Sequence, residues 1–400
     1  MNSTISGAAG PGANLSALRS HNAALVLRLL RDAGEDGVSR LELADRTGLT
    51  PQAVSKITAR LRAEGLAAEA GQRASTGGKP ATALRLVPGA RHAVGLHLDR
   101  DELTAVLVDL AGTPVAARTA PFDFGAGAGQ ALAAATAEVR ALLADAAGAV
   151  GGGLGGALGD GFGGAAVGGS GGGVGGGTGG PAGGGLLGVG VAAPGPLDHG
   201  SGVLHRVTGF PQWDGFPLRA ALAERLALPV VLDKDTNAAA LGLTTAGTAE
   251  SSAYLHLGTG LGAGLVLGGG VYRGARTDAG EFGHQVIQLD GPPCGCGNHG
   301  CLEALCLAAV ARGDRKDAAR LLGVGAANLV RLLDIDRVLL GGRVVLADPE
   351  PYVRGVAAML AEDSARTSRP TVPVDIVERG GRAVVEGAAR LVLAPLFALG

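Results

Sequence analysis

Hydrophobic and polar positions follow helical spacing near the start of the chain. An amphipathic helix is predicted over 18–30, because the apolar residues there recur at helical spacing, namely Leu18, Ala23, Leu25, Val26, Leu29 and Leu30. Ser39 is a favourable N-cap for a second helix over 40–47, which Gly48 would end. Thr50 and Pro51 open a third helix that runs to about Glu64. Two helices joined by a short glycine turn indicate a helix-turn-helix.

The polar face of the third predicted helix carries short and basic side chains, namely Gln52, Ser55, Lys56, Thr58, Ala59, Arg60 and Arg62. Such side chains can reach base edges and phosphates in a major groove. Short strands over 66–70 and 82–87 flank a Gly- and Ser-rich turn and predict a wing. We therefore expect residues 15–88 to be a winged helix-turn-helix. Its expected DNA contacts are Thr50, Gln52, Ser55, Lys56, Arg60, Arg73 and Lys79. A small helical interaction module is the alternative.

Beyond residue 88 the pattern changes to apolar runs alternating with helical segments. Strands are predicted over 93–98, 103–110, 114–119, 186–192, 230–232, 254–257 and 265–267, and helices over 128–147, 218–226 and from Asn237. Strands followed by helices are typical of an α/β body.

Composition limits the class of protein. The 400 residues suffice for two or three domains, and hydrophobic residues make up 46% without an uninterrupted apolar run of membrane-spanning length. Residues 1–12 do not resemble a secretion signal, so we expect a cytoplasmic, nucleoid-associated protein with no membrane partner. Residues 1–14 are expected to be a disordered tail. Residues 148–185 hold 23 of the 72 glycines and are expected to be a disordered insert.

Charge is distributed unevenly along the chain. Residues 15–88 hold 11 Lys or Arg and 7 Asp or Glu, a net of +4, and the remainder holds 23 and 29, a net of −6. A basic terminal segment is consistent with nucleic-acid binding, although a solvated surface would look the same.

Two motifs in the body suggest binding sites. Cys294, Cys296 and Cys301 follow His284 closely, and three thiolates with one imidazole suit a tetrahedral, structural Zn²⁺ site. Merely buried or redox-active cysteines are the alternative. The glycines of Gly258–Gly264 would let the backbone approach an anion, although a plain turn has the same composition.

These residues resemble the ROK family of repressors, open reading frames and sugar kinases. The resemblance rests on the run from Glu281 to His284, on Cys294–Glu303, and on further landmarks in the same order, which are Ala193–Pro196, Asp235–Ala240, Gly258–Gly264 and Leu340–Gly342. It covers about 89–147 and 186–400, and the predicted winged segment is similar to the repressor branch.

The resemblance implies a winged helix-turn-helix followed by a two-lobed actin/hexokinase-like (ribonuclease H-like) ATPase fold. The first lobe would span 89–232 and be completed by 383–400, and the second would span 233–382. A sugar would lie between them, bound by Asp235, Glu281, His284, Glu303 and Gly195, with Asp235 as general base only in a kinase. His284 would bind zinc through one nitrogen and sugar through the other.

The sequence departs from the kinase pattern at three places. Where family kinases carry the phosphate loop Asp-x-Gly-x-Thr, this chain reads Asp99-Arg100-Asp101-Glu102-Leu103. The extra carboxylates would repel a triphosphate, so ATP and Mg²⁺ are not expected despite a second loop at Gly258, Thr259, Gly260 and Gly262. Lys234 replaces a common Asn, so we expect a sugar contact to be altered or lost, and the stretch from Glu303 to Leu333 is shorter than usual.

We therefore predict a sugar-responsive transcriptional regulator that binds operator DNA as a homodimer and is not an enzyme. Regulators of this class are most often repressors, and we expect the same here. A sugar kinase acting on a hexose or N-acylhexosamine is one alternative. A regulator with a degraded cleft, which binds DNA constitutively, is the other.

Overall fold

The computed structural model of the chain describes residues 15–73, 81–149, 185–244, 250–377 and 380–397. The predicted tail, nearly all of the glycine-rich insert, and Lys79 of the predicted wing lie outside these ranges. The described residues divide into two units, one formed by those up to Ala90 together with Ala394–Phe397, and the other by those from Arg91 to Leu393.

Local capping signals position the helices of the first unit. These are α1 (Leu15–Asp32), α2 (Arg40–Thr47) and α3 (Pro51–Ala63). Ser39 and Glu42 form a capping box before α2, since each side chain accepts a hydrogen bond from the other's backbone N–H. Gly48 ends α2 in the left-handed conformation at φ 68°. Thr50 Oγ1 then accepts the Ala53 N–H at 3.2 Å and starts α3.

A small antiparallel sheet completes this unit. Its strands β1 (Val38–Ser39), β2 (Ala67–Arg73) and β3 (Ala81–Leu86) lie in the order β1-β3-β2. Leu30, Leu43, Leu61 and Leu84 are fully buried in the core. The predicted helices and the strands of the wing are confirmed, with strand ends that differ by one to three residues.

The second unit contains two lobes built on the same plan. The first sheet holds β4 (Arg91–Leu98), β5 (Glu102–Asp109), β6 (Pro114–Pro121), β7 (Gly185–Ala193) and β10 (Val230–Lys234) in the order β10-β7-β4-β5-β6. The second holds β11 (Ser252–Leu257), β12 (Leu261–Leu267), β13 (Gly270–Val271), β14 (Arg337–Gly341) and β15 (Val374–Ile376) in the order β13-β12-β11-β14-β15. In each sheet the central strand pairs antiparallel with the following strand and parallel with the fourth. A hairpin, β8 (Leu197–Asp198) with β9 (Val203–Leu204), follows β7.

Helices connect the parallel strands and cover the sheets. They are α4 (Ala128–Ala149), α5 (Leu218–Leu226), α6 (Asp235–Leu243), α7 (Leu302–Ala311), α8 (Arg315–Leu333), α9 (Arg343–Ala347), α10 (Pro349–Thr367) and α11 (Ala383–Leu393). Each lobe has its own hydrophobic core, centred on Leu96 and Val191 in the first and on Leu255 and Leu340 in the second.

Helix α11 packs against α6 at backbone distance. A Cβ on Gly387 would overlap the Ala238 carbonyl oxygen, so a glycine is required at this position. Because α6 begins at Asp235, this packing fixes the start of the helix that carries the predicted sugar ligand.

Three of the differences from the predicted boundaries affect the site or the division into units. The helix expected from Asn237 begins two residues earlier, at Asp235, because Lys234 still belongs to β10. The strand expected at 265–267 begins at Leu261, so Gly262 and Gly264 pair with His256 and Tyr254 within a sheet. The segment 383–400, expected to complete the first lobe, divides at Leu393, and Ala394–Phe397 lies in the first unit against α1.

Within the described residues, no helix combines the length and the hydropathy that crossing a bilayer needs.

Candidate functional site

The predicted sugar ligands come together in one cleft between the two lobes of the second unit. Gly195, Asp235, Glu281, His284 and Glu303 all line it. Asp235 follows directly on β10 of the first sheet, at the start of α6, whereas Glu281, His284 and Glu303 come from the second lobe. The cleft therefore brings together residues 108 positions apart in sequence.

A buried polar network fixes the segment that presents Asp235. The Asp233 carboxylate is buried and accepts hydrogen bonds from the Lys234 N–H at 2.8 Å and from Asn237 Nδ2 at 2.9 Å. Its other oxygen accepts from Arg273 Nε at 2.7 Å. Asp235 itself accepts the Thr236 N–H at the start of α6. The carboxylate of Asp235 is thereby held at a helix N-terminus, where the backbone favours negative charge.

The two glutamates of the cleft have different partners. Glu303 is 9% exposed, and its Oε2 accepts the Leu261 N–H at 2.8 Å. Glu281 is exposed on the cleft side and accepts a hydrogen bond from Lys234 Nζ at 2.8 Å. Carboxylates held in this way retain lone pairs that can accept from sugar hydroxyls.

The metal motif forms a cluster with the dimensions of a zinc site. The ligand atoms of His284, Cys294, Cys296 and Cys301 all lie within 4.8 Å of one another. Two sulfurs about 2.3 Å from a tetrahedral ion are about 3.8 Å apart, and the Cys296 and Cys301 sulfurs are 3.8 Å apart. His284 Nδ1 lies 3.7 Å from the Cys294 sulfur. The four side chains therefore fit one tetrahedral ion. Because Nδ1 faces the cysteines and His284 also lines the cleft, its Nε2 is the atom left for a ligand.

The predicted phosphate loops are joined to each other. Asp99 lies at the end of β4, and its Oδ1 accepts the Arg100 N–H at 2.7 Å and the Thr259 hydroxyl at 3.4 Å. In the second loop, the Gly258 N–H donates to the Gly260 carbonyl oxygen and the Leu261 N–H donates to Glu303. These two N–H groups are consequently engaged within the protein.

Several residues of the cleft were missed by the sequence analysis. His256, Arg100 and Thr208 line it, and His97 lies on β4 beside Asp99 and Asp235. Burial lowers the pKa of His97, although the charges of Asp99 and Asp235 oppose this. Burial also opposes ionisation of Asp99, but His97 and the Arg100 N–H outweigh it and lower the pKa of that carboxyl. The position of His97, a polar residue close to the carboxyl end of an apolar strand, was the available signal.

The first unit presents most of the predicted DNA contacts on one helix. Gln52, Ser55, Lys56 and Arg60 are exposed on α3, and Thr50 is its exposed N-cap. Arg60 Nε lies 3.7 Å from Glu64 Oε1. Arg62 Nη2 forms an ion pair with Glu69 Oε1 at 2.9 Å. Arg73 ends β2, and Lys79 is outside the described residues.

Thr58 was wrongly placed on the exposed face of α3. It is fully buried, and its hydroxyl donates to the Val54 carbonyl oxygen one turn earlier at 2.9 Å. Threonine can be buried in this way because its only polar group bonds to its own helix.

Comparison with known proteins finds matches for the N-terminal segment and for the body of the chain. A model of the ROK family matches residues 181–312, and a model of a winged helix-turn-helix DNA-binding domain matches residues 24–67. A putative xylose repressor from Caldicellulosiruptor sp. is 28% identical over 257 residues, which are 53% of this chain and 64% of that protein. A glucokinase from Halalkalibacterium halodurans is 40% identical over 124 residues, which are 30% of this chain and 37% of that protein. The xylose repressor of Bacillus subtilis is 27% identical over 66% of this chain and 61% of that protein.

Each of these three relatives is thus matched over less than two thirds of its own length. Among solved structures, a ROK family transcriptional regulator described as a homologue of the E. coli MLC protein covers 95% of this chain and 98% of its own, with a TM-score of 0.71 and 20% identity. This likeness agrees with the predicted fold, a winged helix-turn-helix followed by two hexokinase-like lobes. The chain carries a ROK family domain behind an N-terminal winged helix-turn-helix.

Proposed function

We propose that this protein is a DNA-binding transcriptional repressor whose affinity for its operator depends on a sugar. The observation that carries the proposal is the presence, in one chain, of an exposed polar recognition helix and a cleft lined by four carboxylates and two histidines. The relatives named xylose repressor support the same function.

The DNA-binding part of the proposal rests on α3. Its exposed Gln52, Ser55 and Lys56 follow the N-cap Thr50, so they lie in the first two turns, the part of a recognition helix that contacts base edges. A two-fold homodimer would place two such helices in successive major grooves about 34–36 Å apart.

The sugar-binding part rests on the cleft. Asp235, Glu281 and Glu303 can each accept hydrogen bonds from hydroxyls, and a site of such acceptors discriminates against analogues that lack them. Zn²⁺ held by His284, Cys294, Cys296 and Cys301 would be structural, since protein fills all four positions, and it would orient His284 toward the sugar. A sugar that prefers one lobe arrangement would shift the protein toward it, and only this difference in affinity can change DNA binding.

A fluorescence anisotropy titration of the full chain against its own upstream DNA and a random duplex tests the proposal. We expect a preference for the upstream DNA that weakens as salt rises, and a further loss when the effective monosaccharide is added from a panel. Lys56→Ala should weaken DNA binding, whereas Arg354→Ala, which removes an exposed guanidinium on α10, should not. Equal binding to both duplexes would contradict the function, and sugar-independent specific binding would indicate a constitutive regulator.

A sugar kinase is the second candidate, because Asp235 is retained at the cleft and one relative is a glucokinase. In that function Asp235 would accept a proton from the attacking hydroxyl. A coupled assay with Mg-ATP and the same sugar panel separates the two candidates. Turnover that Asp235→Asn abolishes would establish the kinase.

A further inference from the structure

The turn between β4 and β5 reaches across the cleft with three consecutive residues. Asp99 accepts a hydrogen bond from the Thr259 hydroxyl at 3.4 Å. The Arg100 guanidinium lies close against Gly260, since a Cβ there would be 3.4 Å from Arg100 Nη2. Both oxygens of Asp101 accept from Arg343 Nη1, at 2.9 and 2.8 Å. Every residue of this turn therefore contacts the second lobe.

The topology of the second sheet explains why these partners lie together. Strands β11 and β14 are parallel neighbours, with His256 opposite Gly341. Thr259 and Gly260 follow β11, and Arg343 follows β14, so all three lie at the carboxyl edge of the sheet. The β4–β5 turn lies at the corresponding edge of the first sheet and faces Thr259, Gly260 and Arg343.

The charges on the two sides are complementary. The first lobe supplies the carboxylates of Asp99 and Asp101, which meet the Thr259 hydroxyl and the Arg343 guanidinium of the second. The Arg100 guanidinium of the first lobe lies at Gly260, near the Glu303 carboxylate. A glycine-rich loop can bind the anionic oxygens of a phosphate. Here the Asp99 carboxylate supplies an anionic oxygen to the Thr259 hydroxyl of that loop.

We propose that Asp99, Arg100 and Asp101 form a clasp, an intramolecular contact that holds the two lobes together at the glycine-loop end of the cleft. The clasp opposes separation of the lobes in the absence of any ligand. It is independent of the sugar and of DNA, so it can be tested without either.

Amide hydrogen exchange in the full chain tests the clasp from both sides. In the first lobe the Phe122 and Phe124 amides donate to the carbonyl oxygens of Asp101 and Arg100, and in the second the Gly258 and Leu261 amides lie in the glycine loop. Asp101→Asn removes the charge and nearly preserves shape. We expect exchange of both groups of amides to rise together by about 2- to 5-fold, the range that a solvent-exposed ion pair supports. Raising salt should do the same in the unmodified protein.

A matched control and a charge exchange complete the experiment. Arg337 and Asp375 form an ion pair of similar exposure at 3.0 Å, but both belong to the second lobe, so Asp375→Asn should leave these amides unchanged. The double variant Asp101→Arg with Arg343→Asp should restore slow exchange, because the pair is re-formed with its charges exchanged. The proposal is overturned if Asp101→Asn accelerates only the first-lobe amides, if salt has no effect, or if the charge exchange restores nothing.

Discussion

Lys234 Nζ donates to Glu281 Oε1 at 2.8 Å and to the Ala279 carbonyl oxygen at 2.7 Å, with only 3% of the lysine side chain exposed. The sequence predicts that replacing the family's common Asn with Lys alters a sugar contact. In the structure the lysine holds one of the predicted sugar ligands. These two hydrogen bonds use two of the three N–H donors of Lys234, and Glu281 retains its second oxygen for a ligand.

Lys234→Met should therefore weaken sugar binding by roughly tenfold, or about 1.4 kcal/mol, because Glu281 loses the donor that fixes its carboxylate. Isothermal titration with the effective sugar measures the change. Lys316→Met removes an exposed lysine on α8 and is the control that should bind normally. Unchanged affinity in Lys234→Met would show that the pair does not position Glu281.

The pKa shifts of the cleft predict how stability depends on pH. Burial lowers the pKa of His97 below 6.5, its ordinary value. His97 therefore binds a proton more readily in the unfolded chain than in the folded protein. The contribution of neutral His97 to the free energy of unfolding is complete above pH 6.5 and is lost as the pH falls toward the folded pKa. The lowered pKa of Asp99 acts in a separate window, since its contribution is present above 3.8 and is lost at lower pH.

His97→Gln should accordingly flatten the dependence of unfolding free energy on pH between 7.5 and 5.5, by at most about 1.4 kcal/mol per pH unit. Urea unfolding across this range measures it. His205→Gln, which removes an exposed ring, should leave the slope unchanged. A variant at His97 with the slope of the unmodified protein would exclude this residue as its source.

Local signals predicted much of the fold, whereas long-range contacts could not be inferred from sequence. Ser39, Gly48, Thr50 and Pro51 act on their own neighbours, so α2 and α3 start at their predicted residues. The Asp101–Arg343 contact joins residues 242 positions apart. Nothing in the spacing of those two residues indicates that they meet.

The errors have equally specific causes. The polarity of Thr58 predicts an exposed side chain. Its hydroxyl instead bonds within α3, so burying it costs little. The glycines of 258–264 predict a single loop. Gly262 and Gly264 instead lie in β12, where the Thr236 backbone packs too closely against Gly264 for a side chain.

The His284, Cys294, Cys296 and Cys301 cluster predicts about one equivalent of zinc per chain. Cys301→Ser should lose that metal and lower the melting temperature, since binding to the folded chain contributes to folding free energy. Metal analysis and calorimetry measure the two effects. Cys306→Ser is a matched control, because Cys306 lies outside the cluster and its sulfur faces the Ala318 carbonyl oxygen at 3.7 Å. Full zinc content in Cys301→Ser would refute the assignment.

The burial of Phe397 predicts that the end of the described chain stabilises the N-terminal unit. Its side chain is 1% exposed, and the Arg31 guanidinium of α1 lies 4.6 Å from the ring centroid. Phe397→Ala should destabilise this unit by about 3–5 kcal/mol, the usual cost of truncating a buried phenylalanine. Amide exchange in α1 and α3 should therefore accelerate strongly, while exchange in β4 and β7 of the second unit should change little. Pro395→Ala alters an exposed neighbour and should have no such effect. Unchanged exchange in α1 would mean that this unit folds without the C-terminal segment.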